Sequence, residues 1–273
     1  MTHAAGIFCA FVFGAALLSS CSAGNAEPAD GGGIPAVDAA PRTDARPPGS
    51  RTIALVLYPG FTTQDLIGPH TVFALTGGYD VQLAWKTLDP VTSDTGVTIT
   101  PTIRFDDVPR ELEVLFVPGT LLGLGELEDE ELIEFLRSRG ERARFVTSVC
   151  TGSLFLGAAG LLRGYRATSH WAARDLLPLV GAEPIEARWV QDRNRVTGAG
   201  VTAGLDFGLV LASRLKDDAA AQGIQLLLEY DPAPPFDAGS PASAPPAVVD
   251  SVNALLAPFL GPTRKALEAA SNP

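Results

Sequence analysis

One cysteine stands where a strand-like run meets a helix-like run. In RFVTSVCTGSLFLGAAGLL, residues 144–162, a segment suited to a buried strand ends at Cys150, and Thr151, Gly152 and Ser153 lead into an apolar stretch rich in Leu and Ala. At such a corner the unpaired N–H groups and positive dipole end of the following helix favour a thiolate, and so a nucleophile. Small residues must flank so sharp a bend, and Gly152 and Ser153 are small. The competing reading is a buried core cysteine, the common fate of a free thiol. A nucleophile also needs a proton partner. Thr151 follows the cysteine, so an adjacent Cys–His pair is absent. His170, in ATSHW, can reach the same edge, or else is a histidine satisfied by backbone near a helix start. Asp65, in GFTTQDLIGPH, stands at a helix start just beyond the first strand, where it is either an acid aimed at the cysteine or an ordinary helix cap.

The elements that must position these residues alternate. TIALVLY, DVQLAWKTL, EVLFVPG and RFVTSV read as strands, and TGVTITPTIRF alternates like an exposed strand or hairpin. DLIGPHTVFALTG, EDEELIEFLRSRG, TGSLFLGAAGLL and TAGLDFGLVLASRLKDDAAAQGIQLLLEY read as helices, and PIEARWVQD with NRVTGAG as a hairpin. This order predicts an α/β fold, a mostly parallel sheet with helices on both faces. Ligands of such sheets sit beyond the carboxyl ends of the strands, where both Cys150 and Asp65 fall. The Gly198-Ala199-Gly200 turn does not meet the dinucleotide fingerprint.

Composition narrows the partners. The chain has 273 residues, 46% of them hydrophobic, enough for a packed globular domain. The net charge of −11 and scattered basic residues leave no stripe for phosphates, so no nucleic acid is expected. Three histidines without clustered Cys/His spacing predict no metal site.

The first fifty residues differ. An apolar run at 4–18 is too short to span a membrane comfortably and ends in small residues, like a secretory signal. Leu18-Ser19-Ser20-Cys21 resembles the bacterial lipobox, in which Cys21 would carry lipid. Residues 1–3 supply no Lys or Arg, so an uncleaved anchor or a different start remains an alternative. The expectation is a lipoprotein signal over 1–21, a tether over 22–50, a catalytic domain over 51–245 and a helical tail over 246–273, held on the extracytoplasmic side of the membrane.

Five separated stretches carry a family resemblance: TTQDLIGPH, LAWKTLDPVTSDTGVTITPT, FVTSVCTGSLFLGAAGLLRGYRATSHW, VTGAGVTAGLDFGL and LEYDPAPPFDAGSP. They resemble the isonitrile hydratases of the ThiJ/PfpI superfamily, from about Arg51 to Pro245. The resemblance implies a flavodoxin-like, class I glutamine-amidotransferase-like sandwich. It implies Cys150 as nucleophile, Asp65 as acid/base and Thr151 as helper hydroxyl, with a homodimer and no cofactor. An isonitrile substrate predicts an apolar pocket. Phe61, Ile67 and Trp171 are candidate walls, with Gly68, Gly119, Thr120 and His170 as substrate-side supports. Thr120, in FVPGT, stands where the superfamily usually has a second glycine whose N–H binds developing negative charge. A β-branched residue there would be strained at positive φ. A redox sensor, a small-ligand-binding domain and a cysteine peptidase are the other readings of the same corner.

Overall fold

The computed structural model describes residues 51–121 and 125–271. The presumed signal, Cys21 and the tether lie outside them.

Strand β1 (Thr52–Val56) begins the domain and leads into α1 (Thr63–Thr76). Then come β2 (Asp80–Trp85), a two-stranded antiparallel ribbon of β3 (Val91–Thr92) and β4 (Thr98–Ile99), and β5 (Ile103–Arg104). They are followed by β6 (Val114–Val117), α2 (Glu130–Gly140), β7 (Phe145–Val149) and α3 (Gly152–Ala158). Strands β8 (Arg166–Ala167) and β9 (Glu183–Pro184) pair with each other, and a 3-10 helix at Arg174–Val180 lies between them. The hairpin of β10 (Trp189–Asp192) and β11 (Arg195–Gly198) leads to α4 (Ala203–Leu215), α5 (Asp218–Leu227) and α6 (Pro246–Ser271).

The main sheet runs β10-β11-β7-β6-β1-β2-β5 and is parallel except for β10 against β11. Every residue of β1, β6 and β7 is buried, as strands covered on both faces require. Phe73 of α1, Phe116 of β6 and Phe207 of α4 join in one aromatic cluster on one face. Tyr58, just past β1, packs against Phe155 of α3 with the rings tilted by 40°. The chain moves outward from β1 to β2, then crosses back to β6 and β7 on the other side. That reversal places a switch point between β1 and β6, where a crevice opens beyond the strand ends.

Two elements differ from expectation. The apolar run after Cys150 forms a helix only to Ala158, because Gly160 at φ 78 turns the chain. The alternating stretch near residue 100 divides: its first part pairs within the ribbon, and its end joins β2 in parallel at the sheet edge.

Candidate active site

Three adjacent strands supply the site. Asp65 follows β1, Gly119 follows β6 and Cys150 follows β7. Cys150 has φ 58, a left-handed conformation costly for a side-chain-bearing residue. Its surroundings hold it there. The Cys150 N–H donates to Ala199 O at 2.7 Å and Gly198 O at 3.2 Å, while its carbonyl accepts from Ser169 Oγ at 3.0 Å and Ser153 Oγ at 3.2 Å. Gly152 is required by close approach: a β-carbon there would meet Val117 O at 2.3 Å and Pro118 O at 2.7 Å, both backbone. The sharp elbow expected at 150–153 is thus built against the end of β6.

Asp65 is wholly buried, and its Oδ2 accepts from the Gly119 N–H at 2.8 Å. Its Oδ1 is buried without a hydrogen-bond partner. Gly119 keeps acid and thiol together, since a β-carbon there would stand 2.7 Å from Cys150 Cβ and 2.8 Å from Asp65 Oδ2. Burial raises the Asp65 pKa from 3.8 to about 7, against the lowering pull of the Gly119 N–H and of Cys150. Burial first, then the Asp65 charge, pushes the Cys150 thiol well above its ordinary range, outweighing Thr151. The two groups thus couple, although their contact falls outside good hydrogen-bond geometry. Burial thus works against the thiolate expected from the helix end, since α3 has only seven residues to favour it.

Thr151 and Thr120 lock together. The Thr120 N–H donates to Thr151 Oγ1 at 2.9 Å, and that hydroxyl donates back to Thr120 O at 3.0 Å. Thr120 Oγ1 donates to Gly60 O at 2.7 Å. Thr120 is not among the residues of positive φ, so the anticipated strain is absent, and its N–H is engaged rather than free for an oxyanion. His170 follows the backbone-satisfied alternative: its Nδ1 accepts from the Ala172 N–H at 3.3 Å, and burial lowers its pKa. It does line a small apolar cavity of about 20 Å³ with Thr120, Thr151, Leu256, Phe259 and Leu260.

The expected walls do not line this cavity. Phe61 is fully buried in the main core. Trp171 packs against the His170 ring at a centroid distance of 5.5 Å and does not line the cavity. Ile67 and Gly68 border a different and wider groove with Leu205 and Tyr230, because helix α1 is apolar on more than one face and they project from another side of it than Asp65. The apolar lining that sequence reasoning missed comes from α6, more than 100 residues from Cys150; only its own helical period signals it.

The DJ-1/PfpI family model matches residues 51–214. An isonitrile hydratase from Pseudomonas putida is 54% identical over 209 residues, which are 76% of this chain and 91% of that protein. The crystal structure of a ThiJ/PfpI family protein from Pseudomonas syringae superposes with a TM-score of 0.77 at 51% identity, covering 82% of this chain and 91% of that one. The transcriptional regulator GbdR of Pseudomonas aeruginosa is 33% identical over 155 residues, 54% of this chain and 41% of the regulator. The expectation of a signal peptide, a lipoprotein and a membrane anchor is corrected by the Pseudomonas putida match, which accounts for nearly the whole of a hydratase and brings in no anchor. Among the described residues no helix is long and apolar enough to cross a membrane. The shared segment, the parallel sheet and the elbow cysteine lead to one assignment: the chain belongs to the DJ-1/PfpI family.

Proposed function

We propose that this chain hydrates isonitriles to N-substituted formamides through a covalent adduct on Cys150. The supporting observation is the pairing of the Cys150 thiol with a buried Asp65 carboxyl whose Oδ1 is unpartnered, beside an apolar cavity. The match to the Pseudomonas putida isonitrile hydratase supports the substrate class.

The chemistry follows from the proton count. Above pH 7 the pair holds one proton, on sulfur, and Asp65 is a carboxylate. Asp65 accepts the thiol proton as sulfur bonds to the terminal carbon of R–N≡C, then delivers that proton to the same carbon. The product is the thioimidate R–N=CH–S–Cys150, with Asp65 again ionised. Asp65 next takes a proton from water as hydroxide adds to the carbon, and passes it to nitrogen. The C–S bond breaks, the hydroxyl proton returns to sulfur by way of Asp65, and the formamide leaves. The single Thr151 hydroxyl proton rests on Thr120 O; when sulfur is anionic the same hydroxyl can turn to it. The reaction draws no proton from His170, which is neutral and bound to backbone.

The resemblance also supports a homodimer, and the exposed apolar side chains of Leu226, Leu227 and Phe236 supply a surface for one. Incubating the full chain with cyclohexyl isonitrile tests the activity. N-cyclohexylformamide forms with the native protein and not with Cys150→Ala; absence of product from folded native protein overturns the assignment.

A further inference from the structure

The cavity beside Cys150 has two unlike surfaces. Its floor is Thr151, which follows the nucleophile, Thr120, which follows the Asp65 donor Gly119, with Leu121 and His170. Its roof is Leu256, Phe259 and Leu260, all from α6. Helix α6 begins at residue 246, beyond the 51–214 segment that matches the family. At about 20 Å³ the space holds about one water. An isonitrile with a cycloalkyl group is larger than that, and Cys150 is fully buried. A guest that enters by this cavity must therefore move the roof.

The roof is anchored at its far end and carries two prolines in its middle. Leu267 is buried in the main core and Arg264 pairs with Asp175, which fasten the far end of α6. Pro258 and Pro262 lie inside the helix, and each removes one backbone hydrogen bond from the turns that carry Phe259 and Leu260. Thr263 Oγ1 donates to Phe259 O at 3.0 Å. The segment over the cavity is the part of α6 with the fewest bonds to hold it straight.

We propose that α6 forms the roof of the substrate chamber and that Phe259, flanked by Leu256 and Leu260, sets the size of guest that reaches Cys150. For isonitriles the inference rests on the function proposed above; as a statement about access to the thiol it does not. Phe259→Ala then opens room beside Thr151, the residue after the nucleophile, and Phe259→Leu opens less. Leu255, two-thirds exposed on the same helix and absent from the cavity, serves as a control.

Two readouts test this on the full chain. The first is alkylation at Cys150 by iodoacetamide and by the bulkier N-ethylmaleimide, followed by peptide mass spectrometry. Phe259→Ala raises the rate about tenfold or more with the bulkier reagent and less with the smaller one. Phe259→Leu falls between, and Leu255→Ala matches the native chain. The second is the ratio of kcat/KM for cyclohexyl isonitrile to that for isopropyl isonitrile, which rises in Phe259→Ala. Native rates in both Phe259 variants, or equal rises in Phe259→Ala and Leu255→Ala, overturn the roof. An alkylation contrast without formamide from any isonitrile keeps the roof and overturns the proposed function.

Discussion

At the residue scale the account rests on a carboxyl buried where it would rather be neutral. Its linkage to folding has a definite sign. The Asp65 pKa is raised from 3.8 to about 7, so the folded protein holds a proton that the unfolded chain releases between those values. Stability from this residue is fully present below pH 3.8, falls as pH rises toward 7 and stays lowered above it. Asn in its place does not titrate. Relative to the native chain, Asp65→Asn is therefore expected to gain on the order of 3–4 kcal/mol on going from pH 4 to pH 8. Urea unfolding at the two pH values measures it; a constant difference between variant and native chain would show that Asp65 ionises normally. Cys150 was legible as an elbow because strand, cysteine and small residues follow one another along the chain. Asp65 was not separable from a helix cap on local grounds, since the described hydrogen bond of its side chain reaches Gly119, 54 residues away.

At the element scale the start of α1 decides where Asp65 stands. Thr62 makes no side-chain cap to its own helix. The cap comes from the β3–β4 ribbon: Asp94 Oδ2 accepts from Thr62 Oγ1 at 2.6 Å, and Asp94 Oδ1 accepts from the Thr63 N–H at 3.4 Å. Thr63 Oγ1 donates to Ser93 Oγ at 2.7 Å. Asp94→Ala is thus expected to cost about 1 kcal/mol in folding stability, as loss of a helix cap does. It also removes a negative charge that raises the Asp65 pKa, so Asp65 titrates lower in the variant. Carboxyl NMR titration reads the second effect, and an unmoved Asp65 would assign Asp94 a purely structural part. The sequence suggested a hairpin near residue 100 but not that it caps α1, because that bond joins elements about 30 residues apart. The Thr120–Thr151 lock was hidden for the same reason, and so the Thr120 N–H was assigned to substrate.

At the scale of the whole molecule, strand-and-helix alternation was enough to anticipate the parallel sheet with helices on both faces and to place the site beyond the ends of β1, β6 and β7. It could not anticipate the α6 roof, since which distant helix covers a strand end depends on tertiary packing. Nor could it fix which face of α1 stands toward Cys150: Ile67 and Gly68 border another groove. Leu226, Leu227 and Phe236 are 83%, 70% and 78% accessible, and they are the apolar side chains that a dimer of this chain would be expected to cover. Sedimentation is expected to give twice the chain mass of 28.5 kDa, and Leu227→Asp to shift the chain toward monomer. A native monomer would overturn the dimer, and a variant dimer of unchanged affinity would place the interface elsewhere.

The most direct test of the shared proton is the pH dependence of kcat/KM for isonitrile hydration. Below pH 7 Asp65 keeps its own proton and cannot receive the one on sulfur, so activity is expected to climb with pH through a midpoint near 7. Asp65→Asn is expected to lose at least a hundredfold at every pH. A profile that is flat or falling across pH 7, or native turnover by Asp65→Asn, would contradict the account.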